Sequence, residues 1–221
     1  GISKTIFIRD LIQNFNGAVP AEQTDAYLSF LERFREYSQS KLHSMHKRYW
    51  TRQLNLANIN EEGHGSPRYR FDDSADGSTV CEFSVDRVAR ERIQILAKEK
   101  QVTPYIVFLS ALAYLMQNTL HLKTIVISGV FSIRQYYEME MVGQCTNTLP
   151  VIYTPDKQQS ILAFIDAYRT IIAEVHQNLE YPLLNYHQLL HSDGMELTYN
   201  TLLETLLIYH NYAKKNNRLS T

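Results

Sequence analysis

Residues 124–130 constrain this chain more than any other segment. Thr124, Ile125, Val126, Ile127 and Val130 make a nearly continuous β-branched run, the pattern of an interior strand. A second candidate strand follows at 148–154. Upstream, the longest apolar stretch runs from 105 to 116 and is broken by Ser110. Thr103 is a good N-cap and Pro104 suits the first helical position, so a core helix is expected as far as about Asn118. That stretch is too short to span a bilayer, which takes about 20 apolar residues.

The other elements group around this centre. Ser3 is a candidate N-cap for a helix to about Asn16, stopped by the Asn16-Gly17 pair and Pro20. Residues 24–54 hold two aromatic-rich helical stretches, and 55–67 form a polar connection with Gly63, Gly65 and Pro67. Short strands are expected at 69–71 and 79–85, with helices over 86–100, 160–177 and 183–190. Residues 202–212 fit strand or helix, and strand is preferred. No internal repeat is present. Strands and helices mix without regular alternation, which places the chain in the α/β class.

Composition narrows the function. The 221 residues carry 22 Lys and Arg against 23 Asp and Glu, with a pI near 6.8. That balance excludes an electrostatically driven nucleic-acid binder. Cys81 and Cys145 are the only cysteines and have no paired spacing, which fits a reducing, cytoplasmic compartment. The interleaved Ile2, Lys4, Ile6, Ile8, Arg9 and Asp10 do not form a signal peptide. The chain starts at Gly1 without an initiator Met.

Isolated motifs carry little chemistry. His43 and His46, and His187 and His191, have helical spacing for a shared face, but neither pair has an HExxH glutamate or an evident third ligand, so no metal site is assigned. Asp193-Gly194 after His191 reads as a turn. There is no GxSxG elbow, phosphate loop or paired-cysteine zinc spacing. Cys145 has no histidine nearby in sequence to activate it.

Four blocks in order change this picture. Val142-Gly143-Gln144-Cys145-Thr146-Asn147-Thr148-Leu149-Pro150-Val151 resembles the (I/V)GxFxNTLP segment of nonribosomal peptide synthetase condensation domains. The run from Ile125 through Ser128 to Arg134 is similar to the preceding strand and arginine loop. His176-Gln177-Asn178-Leu179-Glu180-Tyr181-Pro182 resembles HQDxPF, and Tyr27-Leu28-Ser29-Phe30 resembles YxDF, with Tyr49-Trp50 further on. Gly1-Ile2-Ser3 resembles the tail of HHxxxDG followed by Ser. Ser29, Gln144, Cys145, Asn178 and Glu180 depart from the family patterns, and RDxSRNPL has no clear counterpart between His191 and Thr201.

The resemblance implies a chloramphenicol acetyltransferase-like two-layer sandwich, with a mixed sheet and flanking helices. It divides the chain into the end of an N-terminal lobe (1–20), crossover helices and linker (21–66), and a C-terminal lobe (67–221) incomplete at its end. It also implies amide-bond formation between a donor acyl or peptidyl thioester and an acceptor aminoacyl thioester, both held on phosphopantetheine arms of upstream and downstream carrier protein domains. No bound cofactor, metal, nucleic acid or membrane is implied. The HHxxxDG histidines would precede Gly1, in a missing N-terminal lobe that would be a further partner. No catalytic residue is therefore assigned within 1–221, and the isolated chain is expected to be inactive. Gly1 and Ser3 are the motif tail. Asn147, Thr148, Gly143, Ser128 and Arg134 are candidates for the wall of the substrate tunnel. For Arg134, pairing with Glu138 or Glu140 stands beside contact with the arm's phosphate. Epimerisation or cyclisation relatives, another HxxxD acyltransferase, and a non-catalytic carrier-docking or scaffold module remain alternatives.

Overall fold

The computed structural model describes residues 2–18, 26–58, 80–156, 159–182, 185, 189 and 202–210. Six helices and three strands follow in the order α1 (Ile2–Phe15), α2 (Ala26–Ser38), α3 (Lys41–Asn58), α4 (Arg87–Glu99), α5 (Pro104–Leu120), β1 (Ile125–Ser132), β2 (Thr146–Tyr153), α6 (Ile161–Gln177) and β3 (Leu206–Leu207), among the described residues. The sheet runs β2-β1-β3, with β1 antiparallel to β2 and parallel to β3. This is the mixed α/β arrangement expected.

Local chemistry sets the helix starts. Asp86, Thr103 and Ser160 each cap a helix by accepting the backbone N–H three residues on, at 2.7, 3.4 and 3.3 Å respectively. Such caps stabilise a helix by about 1 kcal/mol. The buried stripe of α6 is Phe164, Ile165, Tyr168, Ile172 and Val175, and that of α3 is His46, Trp50, Leu54 and Ala57. Both follow helical periodicity. Ser110, the polar break in α5, turns its hydroxyl onto the Ile106 carbonyl at 2.7 Å, so the helix stays buried without an unmet donor.

Strand register decides which residues meet these helices. Ile125, Ile127, Gly129 and Phe131 pair with Tyr153, Val151, Leu149 and Asn147. Facing pairs share one side of a sheet. On that side Tyr153 meets Phe164 and Tyr168 of α6, and Phe131 meets Tyr105 of α5. The helices α5 and α6 therefore cover this face in a second layer. Pro150 is accommodated because β2 is an edge strand among the described residues. No described helix is long and apolar enough to cross a membrane.

Several expectations require correction. Residues 80–85 form no strand; Val80 and Phe83 are 80% and 86% exposed. Alternating side chains make a strand only with a hydrogen-bonded partner, and the proposed partner at 69–71 lies outside the described residues. In 202–212, Leu202 and Leu203 lie in a helical turn and only Leu206–Leu207 pairs with β1. Of 183–190, only Asn185 and Leu189 are described, both helical. Ser3 lies inside α1 rather than capping it, because its hydroxyl has partners across the chain.

Tyr168 leaves one polar atom unmet: its hydroxyl is buried without a partner among the described residues. Removing an unsatisfied buried hydroxyl removes its desolvation penalty. Tyr168→Phe is expected to raise stability by about 1 kcal/mol. A higher urea midpoint at unchanged m-value would bear this out.

Candidate functional site

The candidate site lies where β1 and β2 end, around the connection 133–145. Apart from a 3-10 turn at Tyr136–Glu138, this connection has no regular structure. Ile133, Met141 and Cys145 pack with Phe30 of α2 in a small core beneath it.

Charged side chains then define its path. Glu138 is only 2% exposed. Its carboxylate accepts from Arg33 Nε and Nη2 at 2.9 and 3.1 Å and from the Gln135 backbone N–H at 2.7 Å. Arg33 also donates to Glu180 and to the Ile133 carbonyl, and its guanidinium lies over Phe30 and Phe34. Burial is the largest single effect and opposes the Arg33 charge, but the Glu138 hydrogen bonds together with the charges of Glu138 and Glu180 raise the arginine above its ordinary value. A buried carboxylate bound in this way is held rigidly.

Arg134 works on the other side of the connection. Nη1 donates to the carbonyls of Glu138 and Met141 at 2.6 and 2.7 Å. Nη2 donates to Ser3 Oγ and the Gly143 carbonyl at 2.8 and 3.3 Å. Loop anchoring is thus achieved through carbonyls, because the Glu138 and Glu140 carboxylates are engaged by Arg33 and Arg9. All four Nη hydrogens of Arg134 are committed, leaving only Nε for an arm phosphate. Ser3 completes the clamp: its hydroxyl donates to the Gly143 carbonyl and accepts from the Gly143 N–H. Gly1 lies outside the described residues.

The remaining candidates separate. A Cβ on Gly143 would sit 2.6 Å from the Tyr27 ring, so the group that approaches this glycine is an aromatic side chain of α2. Ser128 is fully buried, with its hydroxyl on the Leu202 carbonyl at 2.5 Å and its N–H on the Thr205 carbonyl. It joins β1 to β3 and does not line an open wall. Asn147 and Thr148, adjacent on β2, point to opposite faces of the sheet. They therefore cannot act side by side on one wall. Asn147 lies on the helix-covered face and donates Nδ2–H to the carbonyls of Leu179 and Tyr181 at 2.8 and 2.6 Å. Thr148 shares the other face with its partner Val130, which is 40% exposed.

The turn after α6 is fastened from several sides. Besides Asn147, Trp50 Nε1 donates to the Asn178 carbonyl at 3.1 Å, and His43 stacks on Tyr181 at 5.3 Å. Buried His46 meets the Tyr37 hydroxyl through Nδ1 at 2.8 Å. Burial lowers its pKa below the ordinary imidazole value. The two α3 histidines are thus packing residues, and no metal-binding cluster occurs among the described residues. Between this turn, α3 and the end of β1 is a cavity of ≈ 220 Å³, lined by His46, Ser132, Arg134, His176, Gln177 and Glu180, with apolar wall from Leu42, Ile133 and Leu179. Arg33, His46 and Trp50 were not among the candidates. In the sequence His46 stands out only as half of a histidine pair and Trp50 only within the Tyr49-Trp50 resemblance, while Arg33 has no signal beyond its place in an aromatic, charged helical region.

Comparison with known proteins places these elements in context. The condensation-domain family profile matches residues 1–221. Bacitracin synthase 1 of Bacillus licheniformis is 21% identical over 218 residues, covering 96% of this chain and 4% of that protein. Gramicidin S synthase 2 of Brevibacillus brevis is 25% identical over 216 residues, covering 96% and 5% respectively. The first condensation domain of the CDA synthetase superposes with a TM-score of 0.72 at 14% identity, over 97% of this chain and 47% of that one. The chain thus spans a small part of the curated relatives and about half of that solved chain.

Arg33→Met would strand the Glu138 carboxylate in the interior and is expected to cost about 3–5 kcal/mol. Adding Glu138→Met should recover most of that loss in a urea denaturation cycle. His46 carries a second expectation. The unfolded chain takes up its proton at about pH 6.5, whereas folded His46 does so only at lower pH. Its stabilising contribution is therefore full above about pH 6.5 and falls as pH drops towards the folded pKa. His46→Gln should flatten this part of the profile, measured by urea titrations between about pH 7.5 and 5.

Proposed function

Because the chain belongs to the condensation-domain family, we propose that it forms part of a domain joining a donor acyl or peptidyl thioester to an acceptor aminoacyl thioester. The family's general activity is amide-bond formation, and the mixed sheet with flanking helices is its chloramphenicol acetyltransferase-like fold. The observation carrying the proposal is that the family match runs through every described element from α1 to β3, including α3, β1 and α6, which line the cavity.

In the proposed reaction both thioesters arrive on phosphopantetheine arms of carrier domains. The acceptor amine attacks the donor carbonyl; a C–N bond forms, the C–S bond breaks, and the donor arm leaves as a thiol once protonated. A thioester is already activated, so orienting two tethered reactants is a large part of the task. This chain contributes wall and scaffold. Residues 1–20 are proposed to end an N-terminal lobe, 21–66, with α2 and α3, to form the crossover and linker, and 67–221, with the sheet and α4–α6, to form the C-terminal lobe. Thr148, on the face away from α5 and α6, is the proposed tunnel-facing group. Asn147 lies on the opposite face of β2, and Arg134, Ser3 and Gly143 hold the connection that leads into it.

The test uses the polypeptide containing residues 1–221, with donor and acceptor carriers loaded as aminoacyl-phosphopantetheine. Intact-mass analysis is expected to show the donor acyl group on the acceptor carrier. Carrier binding without any such transfer would overturn the reading in favour of a docking module.

A further inference from the structure

We propose that Val130 is a specificity-determining residue, and that the ledge it forms with Thr148 takes an uncharged aliphatic side chain of the substrate. β1 is the central strand of the described sheet, and only Val130 and Ser132 of its residues are exposed. Both point away from α5 and α6, on the face they share with their register partners Thr148 and Thr146. Facing side chains lie about 5 Å apart and successive ones on a face about 7 Å, so these two pairs make one small platform. Towards the start of β1 the face closes. Ser128 and Pro150, the next pair, are buried, and Ser128 Oγ is fixed to the Leu202 carbonyl at 2.5 Å. At the other end Ser132 also lines the cavity that holds His176.

The chemistry of this platform selects what rests on it. No described strand position on this face carries a charge: beyond the buried pairs it holds a valine, a serine and two threonines, with Leu206 of β3 beside Ser128. Val130 is 40% and Leu206 44% exposed, and they are the apolar contacts on offer. A branched aliphatic side chain laid against them withdraws methyl groups from water on both partners. A charged side chain there loses hydration and meets no opposite charge on these strands. The hydroxyls of Ser132, Thr146 and Thr148 border the apolar area and keep it narrow. Such a width suits one side chain, whereas a docked helix needs a stripe of several apolar residues. That the side chain belongs to a substrate rests on the proposed function, in which Thr148 faces the tunnel; the selection by Val130 goes beyond it.

The test reads ratios of affinities, which do not depend on the folded fraction of a variant. The probes are N-acetylcysteamine thioesters of Nα-acetylated alanine, leucine and arginine, titrated into the valine-methyl-labelled polypeptide containing residues 1–221. Wild type is expected to prefer leucine over both others, with the Val130 methyl resonances shifting on titration. Val130→Ala should cut the leucine-over-alanine preference about fivefold, the worth of one to two methyl contacts. Val130→Asp should move the leucine-over-arginine preference towards arginine, also by about fivefold. Unchanged ratios in both variants, no methyl shift on titration, or a wild-type preference for arginine would each overturn the proposal. Probe binding needs no turnover. Acyl transfer between carriers with the ratios unchanged would sink the role of Val130 alone, and altered ratios without any transfer would sink only the proposed function.

Discussion

The buried carboxylate of Glu138 is the interaction on which the rest of this region depends. An acid inside a protein is tolerable only when its lone pairs are met, and here Arg33 and the Gln135 N–H meet them. The same guanidinium holds Glu180 and the Ile133 carbonyl. Helix α2, the 133–145 connection and the turn after α6 are thereby fixed relative to one another through one side chain. Arg134 and Ser3 extend the arrangement to α1. A connection with little regular structure leaves many backbone groups to be satisfied, and these two arginines and one serine take up carbonyls at 133, 138, 141 and 143.

This arrangement also shapes the electrostatics of the cavity. Arg134 and Glu180 at its edge make most of their contacts within the fold, and His46, Ser132, His176 and Gln177 complete its polar lining. The turn at 178–182 adds rigidity, since Asn147, Trp50, His43 and Arg33 reach it from separate elements.

The amino-acid sequence alone determined the helices with a cap and a periodic stripe, α4, α5 and α6, because those signals act within a few residues. It also determined β1 and β2 as buried strands, and the order of the motif blocks that carry the family resemblance. Capping and side-chain alternation depend on nearest neighbours in the chain, which is why they could be read directly. Tertiary structure decided the rest. Residues 80–85 pair with no strand among the described residues, and Asn147 and Thr148 were assigned to opposite faces once β2 began at Thr146. Arg33 reaches partners 105 and 147 residues away. Only the folded chain brings those groups within hydrogen-bonding distance, and a local pattern cannot encode a contact of that separation.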